Sequence, residues 1–344
     1  MKKVTAFAMA AVVAASALTG CGSSSTAETT AAATEAKTEA TAAGSTETAK
    51  EDGKTYNVGI CQLVQHPALD AATEGFEAAL KDKLGDNVKF DLQNASGDSA
   101  TCATIINQFV SNDVDLILAN ATAALQAAAA GTSEIPILGT SITDYATALD
   151  IDNWTGTTGL NISGTSDLAP LDQQAAMLNE LFPDAKNVGL LYCSAEPNSK
   201  YQATTVKGYL EELGYACKEY TFADSNDIAS VVNNAIATSD VLYIPTDNTA
   251  ASNTTIIQNI CQPAGIPIIA GEEGICSGCG VATLSISYYD LGYKTGEMAY
   301  EILVNGADVS QTAVEFAPNV TKKYNAANCE ALGITVPDDY VAIE

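Results

Sequence analysis

Short apolar runs alternate with stretches of helical periodicity along most of the chain after residue 54. Asn57–Val64 is a mostly apolar run that predicts a buried strand, and apolar residues spaced three and four apart predict a helix over Ala68–Leu84. Strands that alternate with helices indicate βαβ units and a parallel sheet. The same alternation predicts three more strands and one more helix: strands Val88–Asn94, Leu116–Asn120 and Pro136–Gly139, and helix Cys102–Val110.

A polar passage rich in Gly and Thr, from Trp154 to Thr165, interrupts this pattern before it starts again. Two similar α/β halves predict two Rossmann-like lobes, each built on a parallel sheet. The second half is predicted to contain helix Pro170–Leu181, strand Val188–Tyr192, helix Tyr201–Leu213, strand Lys218–Phe222, helix Ile228–Ala237, strand Val241–Pro245, helix Ser252–Cys261 and strand Pro267–Ala270.

A predicted strand at Val281–Ser285 and a long predicted helix at Leu291–Val304 have no obvious place in the second lobe. We expect both to complete the first lobe, so the chain should cross between the lobes more than once. The expected organisation is lobe 1 from residues 55–163 and 276–308, and lobe 2 from 164–275 and 309–344. Several crossings make a hinge, and the cleft between hinged lobes is the default ligand site.

The first 54 residues have a different character. Lys2 and Lys3 precede an apolar run, Ala6–Ala17, and Leu18-Thr19-Gly20-Cys21 follows it, which is the layout of a secretory signal and resembles a bacterial lipobox. We therefore expect residues 1–20 to be a lipoprotein signal peptide and Cys21 to carry lipid on the outer face of the cytoplasmic membrane. A plain secretory signal is the alternative. The rest of the segment to residue 54 is almost entirely Ser, Thr, Ala, Glu, Lys and Gly, which predicts a disordered tether.

The charge balance narrows the possible partners. The formal net charge is −27, which argues against nucleic acid and anionic lipid headgroups as ligands. All 15 basic residues are lysines. No guanidinium is available to grip a carboxylate or phosphate, so an anion must be held by backbone N–H groups, by Ser, Thr or Asn side chains, or by lysine.

Eight cysteines follow Cys21, and both disulfides and free thiols packed as small apolar side chains are compatible with the sequence. Cys276 and Cys279 have the spacing of a redox or metal pair, but no second pair or histidine is near in sequence to complete a zinc site. We expect no metal and no cofactor. His66 is the single histidine, and no Gly-x-Ser-x-Gly motif is present, so the sequence does not favour an enzyme.

Polar residues cluster where the predicted strands end, which is where ligands bind in open parallel sheets. Each such loop also contains residues that could simply cap a helix, but together they favour a cleft for a small polar molecule. The candidate ligand-binding residues are Gln65, His66, Asp70, Thr122, Thr143, Asp144, Tyr192, Glu196, Asn198, Ser199, Tyr201, Thr246, Asp247, Asn248, Glu272, Tyr288 and Asp290.

Several of these segments carry a resemblance to a known family. His66-Pro67-Ala68-Leu69-Asp70, Glu196-Pro197-Asn198-Ser199, Pro245-Thr246-Asp247-Asn248 and Tyr288-Tyr289-Asp290-Leu291-Gly292 occur in the order found in the ABC transporter substrate-binding proteins that include the tryptophan-binding TrpX proteins. The resemblance implies a type I periplasmic-binding-protein fold, a monomer that closes around a solute and passes it to an ABC permease and ATPase. The chain departs from the family at Gln65, where the family has Glu.

Family members resemble binders of aromatic amino acids, and this suggests a ligand arrangement. Asp247 and Asp290 are the candidates for the ammonium group. Without arginine, the ligand carboxylate would be held by Thr122, Thr143, Asn198 and Ser199, and an aromatic side chain would stack on Tyr192, Tyr201, Tyr288 or His66. The alternative ligands are a nucleoside, a sugar or another amino acid. The alternative role is that of a receptor that senses a ligand without serving transport.

Overall fold

The structure of the protein is a computed structural model that describes residues 53–317 and 319–343. The predicted signal peptide, Cys21 and most of the predicted tether lie outside the described residues. Within the described part, no helix is both long and apolar enough to cross a membrane.

Thirteen strands alternate with twelve α-helices in the described part of the chain. In chain order the strands are β1 (Tyr56–Gln62), β2 (Val88–Asn94), β3 (Leu116–Asn120), β4 (Ile137–Ile142), β5 (Ile162–Ser166), β6 (Asn187–Cys193), β7 (Ala216–Phe222), β8 (Val241–Ile244), β9 (Ile268–Ala270), β10 (Ala282–Ser285), β11 (Glu315–Phe316), β12 (Thr321–Tyr324) and β13 (Val341–Ala342).

Helix starts follow local sequence signals, such as the Asp98 side chain that accepts from the first turn of the second helix. The helices are α1 (Pro67–Leu84), α2 (Ser99–Ser111), α3 (Thr122–Gly131), α4 (Tyr145–Ala148), α5 (Leu171–Leu181), α6 (Pro197–Glu212), α7 (Ile228–Ile236), α8 (Asn248–Ala251), α9 (Thr254–Cys261), α10 (Glu273–Cys279), α11 (Tyr288–Leu303) and α12 (Ala326–Leu332).

The strands form two sheets. The first has the order β11-β5-β4-β3-β1-β2 and the second has the order β13-β12-β10-β9-β8-β6-β7. All neighbouring pairs are parallel except β10 with β12. The central strands β3 and β4 are buried along their whole length, as expected for parallel strands in the middle of an α/β sheet. We call the first sheet with its helices lobe 1 and the second lobe 2.

Helix α11 packs on α1 in lobe 1, the lobe in which the long helix near the C-terminus was expected. The contact is close because glycines line it: a Cβ at Gly292 would lie 1.9 Å from the carbonyl oxygen of Ala72. Met298 and Ala299 of α11 then share an apolar core with Val58 of β1.

The expectation that the strand at Val281–Ser285 completes lobe 1 is wrong. This strand, β10, pairs in parallel with β9 and antiparallel with β12, so it belongs to the sheet of lobe 2. The predicted pattern also lacked β5, which begins inside the passage from Trp154 to Thr165, ends at Ser166 and belongs to lobe 1. Serine, glycine and threonine residues in β5 obscure its apolar pattern, although the strand is fully buried.

The chain passes between the lobes after β5, again between β10 and α11, and a third time between β11 and β12. The boundaries expected from the sequence therefore shift, since 164–166 and 315–316 lie in the first sheet and 282–285 lies in the second. The three crossings lie toward one edge of each sheet, and β2 and β7 form the opposite edges.

Candidate functional site

Side chains from the strand ends of both lobes meet in a closed cleft. His66 follows β1 of lobe 1, and its Nε2 lies 3.2 Å from Oδ1 of Asn248, which follows β8 of lobe 2. Gln202 of α6 in lobe 2 donates from Nε2 to Thr143 Oγ1, after β4 of lobe 1, at 3.1 Å. Because both contacts join the carboxyl ends of parallel strands, the lobes come together at the place where this fold class binds ligands.

Glu196 organises the lobe 2 side of the cleft. Its Oε2 accepts from the backbone N–H of Asn248 at 3.0 Å and from Nδ2 of the same residue at 2.7 Å. Its Oε1 accepts from the backbone N–H and the hydroxyl of Thr249, both at 2.8 Å, and Asn198 Nδ2 lies 3.2 Å from Oε2. Five donors therefore satisfy this buried carboxylate, which orients Asn248 toward lobe 1.

Asp167 lies on the hinge side of the cleft, directly after β5. Its Oδ1 accepts from Thr143 Oγ1 at 3.1 Å and its Oδ2 from the Tyr288 hydroxyl at 2.9 Å. Burial raises the pKa of Asp167 to about 6, even though these two hydrogen bonds lower it. A cation that enters the cleft beside this carboxyl group would stabilise its charged form.

Glu272 and Asp247 are two further buried acids of lobe 2. Glu272 caps α10 by accepting from the backbone N–H groups of Gly274 and Ile275, and burial raises its pKa to about 7. Asp247 Oδ2 accepts from the Cys193 N–H at 2.6 Å and Oδ1 from the Ala250 N–H at 2.7 Å. Burial, followed by the nearby Glu196 carboxylate, raises the pKa of Asp247. Both oxygens of each acid therefore already accept backbone hydrogen bonds.

Unpartnered polar atoms and backbone strain mark the lobe 1 side. His66 Nδ1, Asn120 Oδ1 and Ser141 Oγ are buried without a hydrogen-bond partner among the described residues. Each such atom costs about 1–3 kcal/mol unless a ligand or water satisfies it. Ala121 and Ser141 have φ values of 91° and 57°, a region that residues with side chains rarely adopt. Strained residues of this kind concentrate at binding sites.

The structure brings many of the sequence-predicted residues together at the strand ends. Those that are buried there and linked to the contacts above are His66, Thr143, Glu196, Asn198, Ser199, Asp247, Asn248, Glu272 and Tyr288, with Thr122 buried at the start of α3 and Thr246 half-buried beside Gln202.

Other predicted residues lie elsewhere or serve local structure. Gln65 and Asp290 are exposed, so the structure gives Asp290 no place among the buried groups of the cleft. The Tyr192 hydroxyl donates to Glu219 of β7 within lobe 2, at 2.7 Å. Two of the predicted residues act locally in lobe 1, since Asp144 accepts from the N–H of Thr147 and Asp70 accepts from Gln62. Tyr201 is half-buried on α6.

Sequence reasoning missed Asp167, Gln202, Asn120 and Ser141. Asp167 was missed because it follows β5, the strand that the pattern did not predict. Gln202 lies one helical turn after Asn198, so helical spacing alone could have placed it on the same face. Nothing in the sequence distinguishes Asn120 and Ser141 from ordinary polar residues of strand ends.

Two cavities border the closed cleft. The larger, of about 870 Å³, lies between the starts of α1, α10 and α11, and Glu272, Tyr288 and Asp290 are among its lining residues. The smaller, of about 310 Å³, lies toward the edge formed by β2 and β7, and Glu196 and Asn248 are part of its lining. The polar cluster described above therefore separates a hinge-side cavity from one on the opposite side.

The family described as ABC transporter substrate binding protein matches residues 57–343. This chain belongs to that family. Its members are solute-binding proteins rather than enzymes, and the two mostly parallel sheets are those of a type I periplasmic binding protein.

Individual members of the family are similar over most of their length. A tyrosine-binding protein from Clostridioides difficile (strain R20291) is 38% identical over 306 residues, which cover 88% of this chain and 84% of that protein. An ABC domain from Streptococcus pneumoniae, crystallised in complex with L-Trp, is 32% identical with a TM-score of 0.79, covering 83% of this chain and 97% of that one.

A third family member bears on the state of the cleft. The ligand-free, open structure of a substrate-binding protein with adhesive properties from Clostridium difficile is 38% identical, with a TM-score of 0.64, and covers 84% of this chain and 100% of that one. The TM-score is lower than that of the Trp complex although the identity is higher. This difference agrees with the contacts between the lobes of the present structure, which describe a closed arrangement.

Proposed function

We propose that this protein captures an aromatic amino acid in the cleft between its lobes and delivers it to the permease and ATPase of an ABC importer. Two relatives support this ligand class, since one is a tyrosine-binding protein and the other was crystallised in complex with L-Trp. The buried acids of the cleft support a ligand with a cationic group.

The observation that carries the proposal is a pair of buried acids that no basic side chain neutralises. None of the ion pairs among residues 53–317 and 319–343 includes Asp167 or Glu272. Both carboxyl groups have raised pKa values because they are desolvated. An α-ammonium group would offset that desolvation directly. We assign the ammonium site to Asp167, with Glu272 nearby. It replaces Asp247, whose two carboxylate oxygens already accept backbone hydrogen bonds, and Asp290, which is exposed.

The start of α3 is the proposed partner of the ligand carboxylate. The residue before this helix is Ala121, which has no side chain able to cap it, and Thr122 is buried at its first position. The first N–H groups of a helix have no partner within the helix and favour a negative charge. The hydroxyl of Ser141, unpartnered in the next strand of the sheet, adds a second donor.

Calorimetry of the purified protein tests the ligand class. The protein would be unfolded and refolded to remove any ligand carried through purification, then titrated with tyrosine, tryptophan, phenylalanine, leucine, a nucleoside and a simple sugar. We expect binding confined to the aromatic amino acids. Heat from the nucleoside or the sugar alone would refute the aromatic ligand while leaving the family unchanged.

Two matched substitutions test the site. Asp167→Asn keeps the shape of the side chain and removes its charge, so we expect amino-acid affinity to fall at least about 10-fold, the loss of one charged hydrogen bond. Asp290→Asn makes the same chemical change at an exposed position and should leave affinity unchanged. The reverse result would return the ammonium to Asp290.

We also propose that the protein is exported and anchored by lipid at Cys21. The support is the signal-like sequence before this residue. Cells expressing the full chain would be labelled with a radioactive fatty acid, and Cys21→Ser would serve as the control. Label on the natural chain alone is expected, and equal labelling of both would refute the anchor at this residue.

A further inference from the structure

His66 is a buried side chain that bridges the two lobes and keeps one ring nitrogen unused. It is 7% exposed, and its Nε2 lies 3.2 Å from Asn248 Oδ1 across the cleft. Its Nδ1 has no hydrogen-bond partner among the described residues. A buried ring nitrogen without a partner, at a ligand cleft, indicates a position that a ligand atom fills.

The hydrogen-bond network decides what that nitrogen can do. Asn248 must point its Nδ2 at Glu196 Oε2, 2.7 Å away, because its carbonyl oxygen would be repelled by the carboxylate. Oδ1 of Asn248 therefore faces His66, and only a protonated Nε2 can pair with it. Burial lowers the pKa of His66, against the opposing effects of Asn248, Glu196 and Asp70, and so favours the neutral ring. In the neutral Nε2–H form, Nδ1 is a hydrogen-bond acceptor.

The position of His66 indicates which end of an amino acid lies beside it. Asp167 follows β5 and His66 follows β1, and β4 and β3 lie between these strands. Three steps of about 4.8 Å separate the two strands by about 14 Å. An extended tyrosine with a hydrogen bond at each end spans about this length. With the ammonium at Asp167, the ring of the ligand therefore reaches toward His66.

We propose that His66 Nδ1 accepts a hydrogen bond from the ring of the bound amino acid and so selects aromatic ligands that carry a ring donor. The phenol O–H of tyrosine and the indole N–H of tryptophan supply such a donor, and phenylalanine does not. This inference rests on the proposed function and names its substrate preference. A ligand without the donor leaves Nδ1 buried and unpaired, which would weaken its binding by roughly 10- to 100-fold.

Substitutions at His66 separate its two ring nitrogens. In His66→Gln the amide reaches the position of Nε2 and can still contact Asn248, but a methylene group replaces Nδ1. In His66→Asn the amide lies near the position of Nδ1 and no longer reaches Asn248. We expect the natural protein and His66→Asn to prefer tyrosine over phenylalanine at least about 10-fold, and His66→Gln to lose that preference through weaker tyrosine binding.

Nitrogen NMR gives a direct second measurement, because His66 is the single histidine of the chain. In protein labelled with ¹⁵N-histidine, the free form should show one protonated and one unprotonated ring nitrogen. Saturation with tyrosine should shift the unprotonated nitrogen, and saturation with phenylalanine should leave it near its position in the free protein. A residue that only packed against the ligand would respond alike to both.

The outcomes distinguish this inference from the proposed function. Binding of all three aromatic amino acids with equal affinity, or an unchanged preference in His66→Gln, would overturn the role of His66 and leave the aromatic ligand standing. Protonation of both ring nitrogens at neutral pH would also overturn it. No binding of any aromatic amino acid would overturn both proposals.

Discussion

The hydroxyl of Tyr288 donates to Asp167 Oδ2 at 2.9 Å, and this bond joins two of the three crossings between the lobes. Asp167 begins the crossing after β5, and Tyr288 ends the crossing before α11. The pKa of Asp167 is raised to about 6 and that of Tyr288 is raised as well, chiefly by burial. A desolvated acid thus lies within the hinge, at the position proposed above for the ligand ammonium group.

Stability of the ligand-free protein should depend on Asp167 between pH 4 and pH 7. Its pKa is about 6 in the folded protein against an ordinary value of 3.8, so the folded state retains a proton that the unfolded state releases. Stability from this group therefore falls as pH rises through this range, by about 2 kcal/mol, and levels off above it. Urea unfolding of the natural protein and of Asp167→Asn at pH 4.5 and about pH 8 measures the difference. A pH dependence equal in both proteins would contradict this.

Binding of an amino acid near pH 6 should release protons. A ligand ammonium beside Asp167 and Glu272 favours their charged forms, which lowers pKa values of about 6 and about 7. Calorimetry in two buffers with different ionisation heats measures the number of protons released. Proton uptake instead would mean that these acids donate to the ligand, which would assign the carboxylate of the ligand to the hinge side.

The contact between α1 and α11 should be sensitive to one methyl group. Gly292→Ala would place a Cβ 1.9 Å from the carbonyl oxygen of Ala72, so the helices must separate, and we expect a loss of about 2–4 kcal/mol. Gly208→Ala is the control within α6, since nothing lies within 4 Å of its Cβ position. It should stabilise the protein by about 0.5–1 kcal/mol. Equal effects in urea unfolding would refute the close packing.

Ser141 should favour binding at the expense of stability. Ser141→Gly removes an unpartnered buried hydroxyl and relieves a φ of 57°, so we expect the ligand-free protein to gain about 1 kcal/mol. Amino-acid affinity should fall, because this hydroxyl is the second donor proposed for the ligand carboxylate. Thermal unfolding and calorimetry of the same variant check both effects. A less stable variant would show that the backbone there is not strained.

All eight cysteines after Cys21 are free thiols in the structure, which favours one of the two states that the sequence allowed. Denatured protein from residue 55 onward should therefore react with a thiol reagent at eight sites without prior reduction. The native protein should react slowly, because seven of the eight are buried and burial raises the pKa of the eighth, Cys217, to about 11. Fewer than eight thiols in the denatured protein would demonstrate a disulfide.

Local patterns predicted much of the fold. Helix α1 and strand β3 lie close to their predicted ranges, because apolar periodicity reflects which residues face the core. Strand β5 was not predicted, because its small polar residues give no apolar pattern even though the strand is buried in the sheet. The lobe to which β10 belongs was also predicted wrongly, because a short apolar strand can pair in either sheet.

The sequence by itself determined the family, the two α/β halves and most of the loops that form the cleft, because these depend on local periodicity and on motifs within short segments. Tertiary structure decided which polar side chains of those loops share the cleft. Asp167 and Tyr288 are 121 residues apart, and His66 and Asn248 are 182 apart. Their juxtaposition depends on the strand order and on the closure of two lobes, and no local pattern encodes either one.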